Sequence, residues 1–217
     1  CLVGSEMCIR DRLSRHQDQN PYTDEDYFAY VDGKPRYNGV RDFFASRGIT
    51  LPEGDPSDGP AAQTICGLGN RKNDLFNTVL ARDGIQPYPG SRRWVDRLHE
   101  SGMAMAVVSS SRNAAAVLKA AGMVEDFSVL VDGNRSKTER LPGKPAPDTY
   151  LRGAELLGVP AEQCVVVEDA VSGVRAGAAG GFGMVLGVNR GVGADRLREA
   201  GADRVVDDLD EMVEEMA

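Results

Sequence analysis

The stretch CVVVEDAVSGVRAGAAGG, residues 164–181, decides how the rest of the chain is read. Cys164 to Val167 is apolar without alternation, Glu168 and Asp169 follow at once, and Val171 to Ala179 then carries a helical spacing. A short strand that is apolar on both faces and runs straight into a helix belongs to a parallel sheet covered on both sides. The alternation extends outward. Upstream lie strands at Met103–Val108 and Phe127–Val131 and helices at Arg112–Ala121 and Pro147–Leu157. Downstream lie strands at Gly183–Leu186 and Arg204–Val206, a helix at Ala194–Ala200, and an acidic closing helix with Leu209, Met212, Val213 and Met216 on one face. The expected class is α/β, and in such sheets ligands bind beyond the C-terminal strand ends.

From Tyr22 to Gln86 the pattern is helical instead. Val40, Phe43 and Phe44 form one apolar stripe ended by Gly48, and LPEGDPSDG at 51–59 is loop by composition. Asn70–Arg82 predicts a helix with Leu75, Phe76, Val79 and Leu80 on one buried face, stopped by Gly84. Residues 13–86 thus read as a partial, all-helical module and 87–217 as the α/β body. The opening CLVGSEMCIRDR, residues 1–12, reads as translated sequencing adaptor and is expected to be a non-native leader.

Of the 217 residues, 25 are basic and 33 acidic, a formal net charge of −8. That acidity, with Lys and Arg nowhere concentrated, argues against nucleic acid or an anionic membrane as partner. No apolar run nears the roughly 18–20 residues of a membrane span, so a cytoplasmic monomer is expected. Four cysteines without a CxxC pair, and two histidines far apart, make zinc and redox-disulfide chemistry poor readings. Cys66 and Cys164 read as reduced, buried thiols. Gly67-Leu68-Gly69 lacks the third glycine and the preceding strand of a dinucleotide fingerprint.

Three strand ends carry chemistry. Ser109, Ser110, Ser111, Arg112 and Asn113 follow the first strand, Gly143-Lys144-Pro145-Ala146-Pro147-Asp148 forms a loop, and Glu168-Asp169 ends the next. Singly, each has a plain structural reading: Ser109 as a helix N-cap, Lys144 as a solvated cation, Glu168-Asp169 as acids at a helix N-terminus. Together, a hydroxyl, an ammonium and a carboxylate pair suit one task, holding a phosphoryl group and the Mg²⁺ that offsets its charge.

Beyond those side chains, VVSSSRN at 107–113, GKPAPD at 143–148 and VVVEDAVSGVRAGAAGG at 165–181 resemble the second, third and fourth motifs of the haloacid-dehalogenase-like (HAD) phosphotransferases, in particular their β-phosphoglucomutase-like branch. YPG at 88–90 matches the return from cap to core, and DGKPRYNGV at 32–40 and GLGNRKND at 67–74 match the helical cap. The resemblance implies a Rossmann-like core with a small all-helical cap, and Mg²⁺-dependent phosphoryl transfer on a small sugar phosphate through an aspartyl-phosphate. It also implies roles: Ser109 bonding the phosphoryl group, Lys144 neutralising its oxygens and orienting the nucleophile, Glu168 and Asp169 serving Mg²⁺. A second phosphate would be gripped by Arg36 with Ser111, Arg112 and Asn113, while Lys72 and Asn73 match cap residues that face the sugar. Arg suits that grip because its planar fork takes two phosphate oxygens.

One departure stands against the match. The family's first motif, a buried strand ending in DxDG whose first Asp is the nucleophile and second the general acid and base, has no counterpart here. Asp24-Glu25-Asp26 has the spacing, but the polar HQDQNPYT precedes it, so it reads as a helix start; Asp32-Gly33 and Asp132-Gly133 read as turns. That first strand lies mid-sheet in the family, so its two neighbours are expected to lose a ladder partner, leaving the chain poorly stable and inactive. Alternatives of the same superfamily are a phosphoglycolate-type phosphatase or a dehalogenase. A non-catalytic sugar-phosphate-binding protein and an assembly artefact also stay open.

Overall fold

The structure, a computed structural model, describes residues 20–215; the adaptor-like leader and Met216 lie outside the described residues. The chain divides after Gly84 into two compact units.

The first unit is helical. Thr23 caps α1 (Asp24–Asp26), its hydroxyl accepting from the Asp26 N–H while the Asp26 carboxylate accepts from the Thr23 N–H. The capping box confirms the acidic triplet as a helix start. A π-helical turn, Tyr27–Val31, continues it, and the Asp32-Gly33 turn, with Gly33 at φ +68°, leads to α2 (Arg36–Ser46). After the 51–59 loop, α3 (Ile65–Asp83) starts on a Thr64 cap. Tyr22, Tyr27, Val31, Val40, Phe43, Phe44, Ile65 and Leu68 form the core, with Phe43 and Phe44 essentially inaccessible. The expected face Leu75, Phe76, Val79 and Leu80 is only half-buried. Periodicity shows that a helix is amphipathic but not where its partners reach, and here the core takes the first turn of α3 instead. Gly67 and Gly69 are helical packing positions, not a nucleotide loop.

The second unit runs α4 (Pro89–Glu100), β1 (Ala106–Val108), α5 (Ala114–Ala120), β2 (Val129–Val131), α6 (Gly133–Glu139), α7 (Asp148–Leu157), β3 (Val165–Glu168), α8 (Val171–Ala179), β4 (Met184–Val188), α9 (Ala194–Glu199), β5 (Arg204–Val206) and α10 (Asp210–Glu215). Every strand pair is parallel, as runs of unbroken apolar residues require. Among the described residues the strands fall into two ladders, β1–β2 and β3–β4–β5. Ala106 pairs with Val129 and Val108 with Val131 in one, Val165 with Met184 and Leu186 with Arg204 in the other. β1 and β3 each have a ladder neighbour on one side only, β1 is half-buried throughout, and Val165 is 52% exposed.

Two element readings are corrected. Asp132-Gly133 is not an isolated turn: the buried Asp132 carboxylate accepts from the backbone N–H groups of Asn134 and Arg135 and so caps α6, which the pattern did not signal. An N-cap Asp and a turn Asp satisfy the same local donors, so sequence does not separate them. The strand expected over Met103–Val108 begins only at Ala106, and Met103 is 55% exposed. Of the two described cysteines, Cys66 is buried, with burial raising its thiol pKa, whereas Cys164 is half-exposed. No described helix is long and apolar enough to cross a membrane.

Candidate active site

Lys144 joins the two ladders. Its Nζ donates to Glu168 Oε2 at 2.6 Å and lies 3.5 Å from the carbonyl oxygen of Val108, so one ammonium bridges the C-terminal ends of β1 and β3. Both side chains are nearly inaccessible, 6% and 10% exposed. Burial alone would push the Glu168 carboxyl up, but the Lys144 charge, with hydrogen bonds from Lys144, Tyr150 and the Ala170 N–H, holds it down at about 2. The Glu168 carboxyl is therefore ionised at neutral pH.

Glu168 is saturated with donors. Oε2 accepts from Lys144 and, at 2.5 Å, from the Tyr150 hydroxyl; Oε1 accepts from the N–H groups of Asp169 (3.1 Å) and Ala170 (3.0 Å). Tyr150, in the first turn of α7, is the residue that sequence reading missed. Its ring also lies under Lys144 Nζ at 4.7 Å, a cation–π contact, and burial followed by the Glu168 charge raises its phenol far above the ordinary value. The available signal was its place, six residues beyond Lys144 on the helix that the same loop opens.

Gly173 was missed for the same reason, that sequence does not show close approach. A Cβ there would sit 2.0 Å from Glu168 Oε2 and 2.2 Å from its Cδ. Because four donors fix that carboxylate, Gly173→Ala is expected to destabilise the chain by about 1–3 kcal/mol, the range for overpacking. Urea unfolding would show it; wild-type stability would mean that the carboxylate has room to move.

The remaining candidates divide between the units. At the end of β1 the Ser109 N–H donates to the Val131 carbonyl, and the Ser109 hydroxyl oxygen accepts from the Ser111 N–H (3.1 Å). The Ser111 hydroxyl accepts from the Asn113 N–H, and the Arg112 carbonyl accepts from Asn134. These turns crowd the backbone of Gly133, where a Cβ would lie 2.7 Å from the Ser110 carbonyl oxygen. Asp169 is exposed at the end of β3. In the helical unit, Arg36 opens α2 and donates through Nη1 to Asn70 Oδ1 and through Nη2 to Asn73 Oδ1; Lys72 lies half-buried on the same helix as those two. Ser109, Lys144, Glu168 and Asp169 thus share one strand-end edge, while Arg36 and Asn73 meet across the α2–α3 contact and Lys72 precedes Asn73 on α3.

A family model for haloacid dehalogenase-like hydrolases matches residues 9–181. The chain belongs to that family. Among curated relatives it is 49% identical over 191 residues to a β-phosphoglucomutase of Mycobacterium tuberculosis (strain CDC 1551 / Oshkosh), covering 87% of this chain and 73% of the relative. It is 31% identical over 213 residues to hexitol phosphatase A of Escherichia coli K12, covering 97% and 88%. The fold is shared with a β-phosphoglucomutase structure from Clostridium difficile (TM-score 0.76, 19% identity, covering 98% of this chain and 89% of that one). It is shared too with CbbY of Rhodobacter sphaeroides in complex with xylulose-(1,5)bisphosphate (TM-score 0.71, 22% identity, covering 96% and 88%). The HAD assignment places this chain with the phosphatases and phosphomutases of the β-phosphoglucomutase-like branch.

Proposed function

We propose that the site serves Mg²⁺-dependent phosphoryl transfer on a small sugar phosphate through an aspartyl-phosphate. On this reading the 217 residues do not turn substrate over by themselves, because no DxDG strand is among them. The observation that carries the reading is the buried Lys144–Glu168 pair bridging the two strand ends, with the Ser109 hydroxyl and the Asp169 carboxylate on the same edge. Lys144 neutralises the charge on phosphoryl oxygens, and Ser109 donates its hydroxyl proton to one of them.

The donor set fits Mg²⁺, which takes one or two carboxylates and completes its shell with water and substrate phosphate. Asp169 would hold it, with Glu168 beside it committed largely to Lys144 and Tyr150. Among the described residues no three His, Cys, Asp or Glu side chains cluster closely enough to make a protein-only metal cage. When bound, the ion supplies positive charge against the transferring phosphoryl group.

Between mutase and phosphatase, the second phosphate grip favours the mutase. Arg36, and separately Ser111, Arg112 and Asn113, are the candidate ligands of that phosphate, and an enzyme that must hold a bisphosphate in two orientations needs such ligands more than a simple phosphatase does. Lys72 and Asn73 would face the sugar. In a chain supplied with a DxDG strand, Arg36→Ala is expected to weaken bisphosphate binding by about tenfold or more, the worth of one charge-assisted contact. Hydrolysis of a small generic phosphate ester should be spared. Equal loss of both would sink the grip.

A further inference from the structure

Asn70 has every hydrogen-bonding position of its side chain occupied. Oδ1 accepts from Arg36 Nη1 (3.3 Å) and from the Tyr37 hydroxyl (3.0 Å), while Nδ2 donates to the backbone carbonyls of Pro56 (3.1 Å) and Asp58 (2.8 Å). This amide therefore ties three pieces of the helical unit together: the start of α2, the loop at 51–59 and the body of α3. Its orientation is fixed by its own partners, since exchanging the O and N atoms would set donor against donor and acceptor against acceptor.

Its neighbours are built to allow this. Gly69 lets the helices approach, because a Cβ there would lie 2.8 Å from Tyr37 Cδ1 and 3.1 Å from Arg36 Cγ. Asn73, one turn further along α3, takes the second arm of the guanidinium through its Oδ1 at 2.5 Å. Both of these acceptors are neutral amide oxygens, so these two contacts fix the direction of the fork without themselves opposing its charge. A carboxylate in either place would hold Arg36 equally well and spoil it as an anion ligand.

We propose that Asn70 is the positioning residue that presents Arg36 to the second phosphate of a sugar bisphosphate. This rests on the reading of Arg36 given above and deepens it. A long arginine side chain loses much rotamer freedom on binding; Asn70 removes that freedom in advance, so less is lost when the anion arrives.

The test uses the full 217-residue chain, glucose 1,6-bisphosphate and inorganic phosphate as probes, and two readouts. In Asn70→Ala, the Arg36 Nε–H signal in ¹⁵N relaxation should pass from rigid to mobile, and bisphosphate affinity should fall about tenfold, as for one lost charge-assisted bond. Inorganic phosphate affinity should stay unchanged. Asn70→Asp keeps both acceptor contacts, so Arg36 should stay rigid there even if the loop carbonyls loosen; that variant guards against a general unfolding of the unit. A rigid Arg36 in Asn70→Ala overturns the proposal. So does a mobile Arg36 with unchanged bisphosphate affinity while Arg36→Ala weakens it. If Arg36→Ala itself leaves bisphosphate affinity unchanged, the grip fails, and the role of Asn70 in binding falls with it.

Discussion

Joining an apolar strand that ends in Asp-x-Asp-Gly ahead of Tyr22 is expected to convert this chain from inert to a Mg²⁺-dependent phosphatase on a generic phosphate ester, and to raise its melting point by roughly ten degrees or more. The physical basis is the pair of one-sided ladders. β1 and β3 run in parallel ladders, each with a neighbour on one edge only, while Lys144 reaches from one to the other at their C-terminal ends. A strand inserted there would add ladder bonds worth about 0.5–1.5 kcal/mol each and cover the half-exposed Val165 and β1. A gain of about 4 kcal/mol moves the midpoint of a chain this size by about 8–16 °C. The same insertion would place two carboxylates beside Ser109 and Lys144. Comparable turnover by the 217-residue chain and by the extended one would refute the first half. An unchanged melting point would refute the second.

The other large effect concerns the bridge itself. Lys144→Met leaves the buried Glu168 carboxylate without its cation, and removing one member of such a pair costs about 3–5 kcal/mol. The double variant Lys144→Met, Glu168→Leu should recover most of that, since well-packed apolar side chains replace buried ion pairs with little loss. Acid adds a second signature in metal-free buffer. The Glu168 carboxyl is held at about 2 against an ordinary 4.5, so its contribution is present above pH 4.5 and drains away as pH falls toward 2. Urea unfolding across that window should show wild type losing more stability than the double variant. Parallel pH profiles would mean that the pair contributes nothing net.

Much of this was legible in the residues because strand-end chemistry is written locally. Glu168-Asp169 after VVV, and Lys144 in its Gly/Pro loop, needed only the parallel-sheet rule to be brought to one edge. What stayed hidden depends on distance. Tyr150 reaches Glu168 with its hydroxyl from 18 residues away, and Gly173 matters through the space it leaves beside that carboxylate, neither of which a local pattern reports. Asn70, in a stretch already singled out for Lys72 and Asn73, gave no sign that it holds Arg36 from behind. The half-exposed stripe Leu75–Leu80 was the converse, a correct periodicity whose covering partner the pattern does not reveal.

The contact between α4 and α10 has a consequence in time. Arg93 Nε donates to Asp210 at 2.7 Å across a separation of 117 residues, and the Gly90 backbone approaches Asp208 so closely that a Cβ there would overlap its carboxylate. α4 is thus among the first parts of its unit to be synthesised and among the last to find its partner. At about 5–20 residues per second, a ribosome needs roughly 6–23 s to make the intervening chain. Through that interval Trp94 lacks the cluster it packs against in the finished fold, Leu186, Val188, Val206 and Leu209, all of which follow later in the chain. Arg92, Arg93, Asp96 and Arg97 give α4 a strongly charged flank.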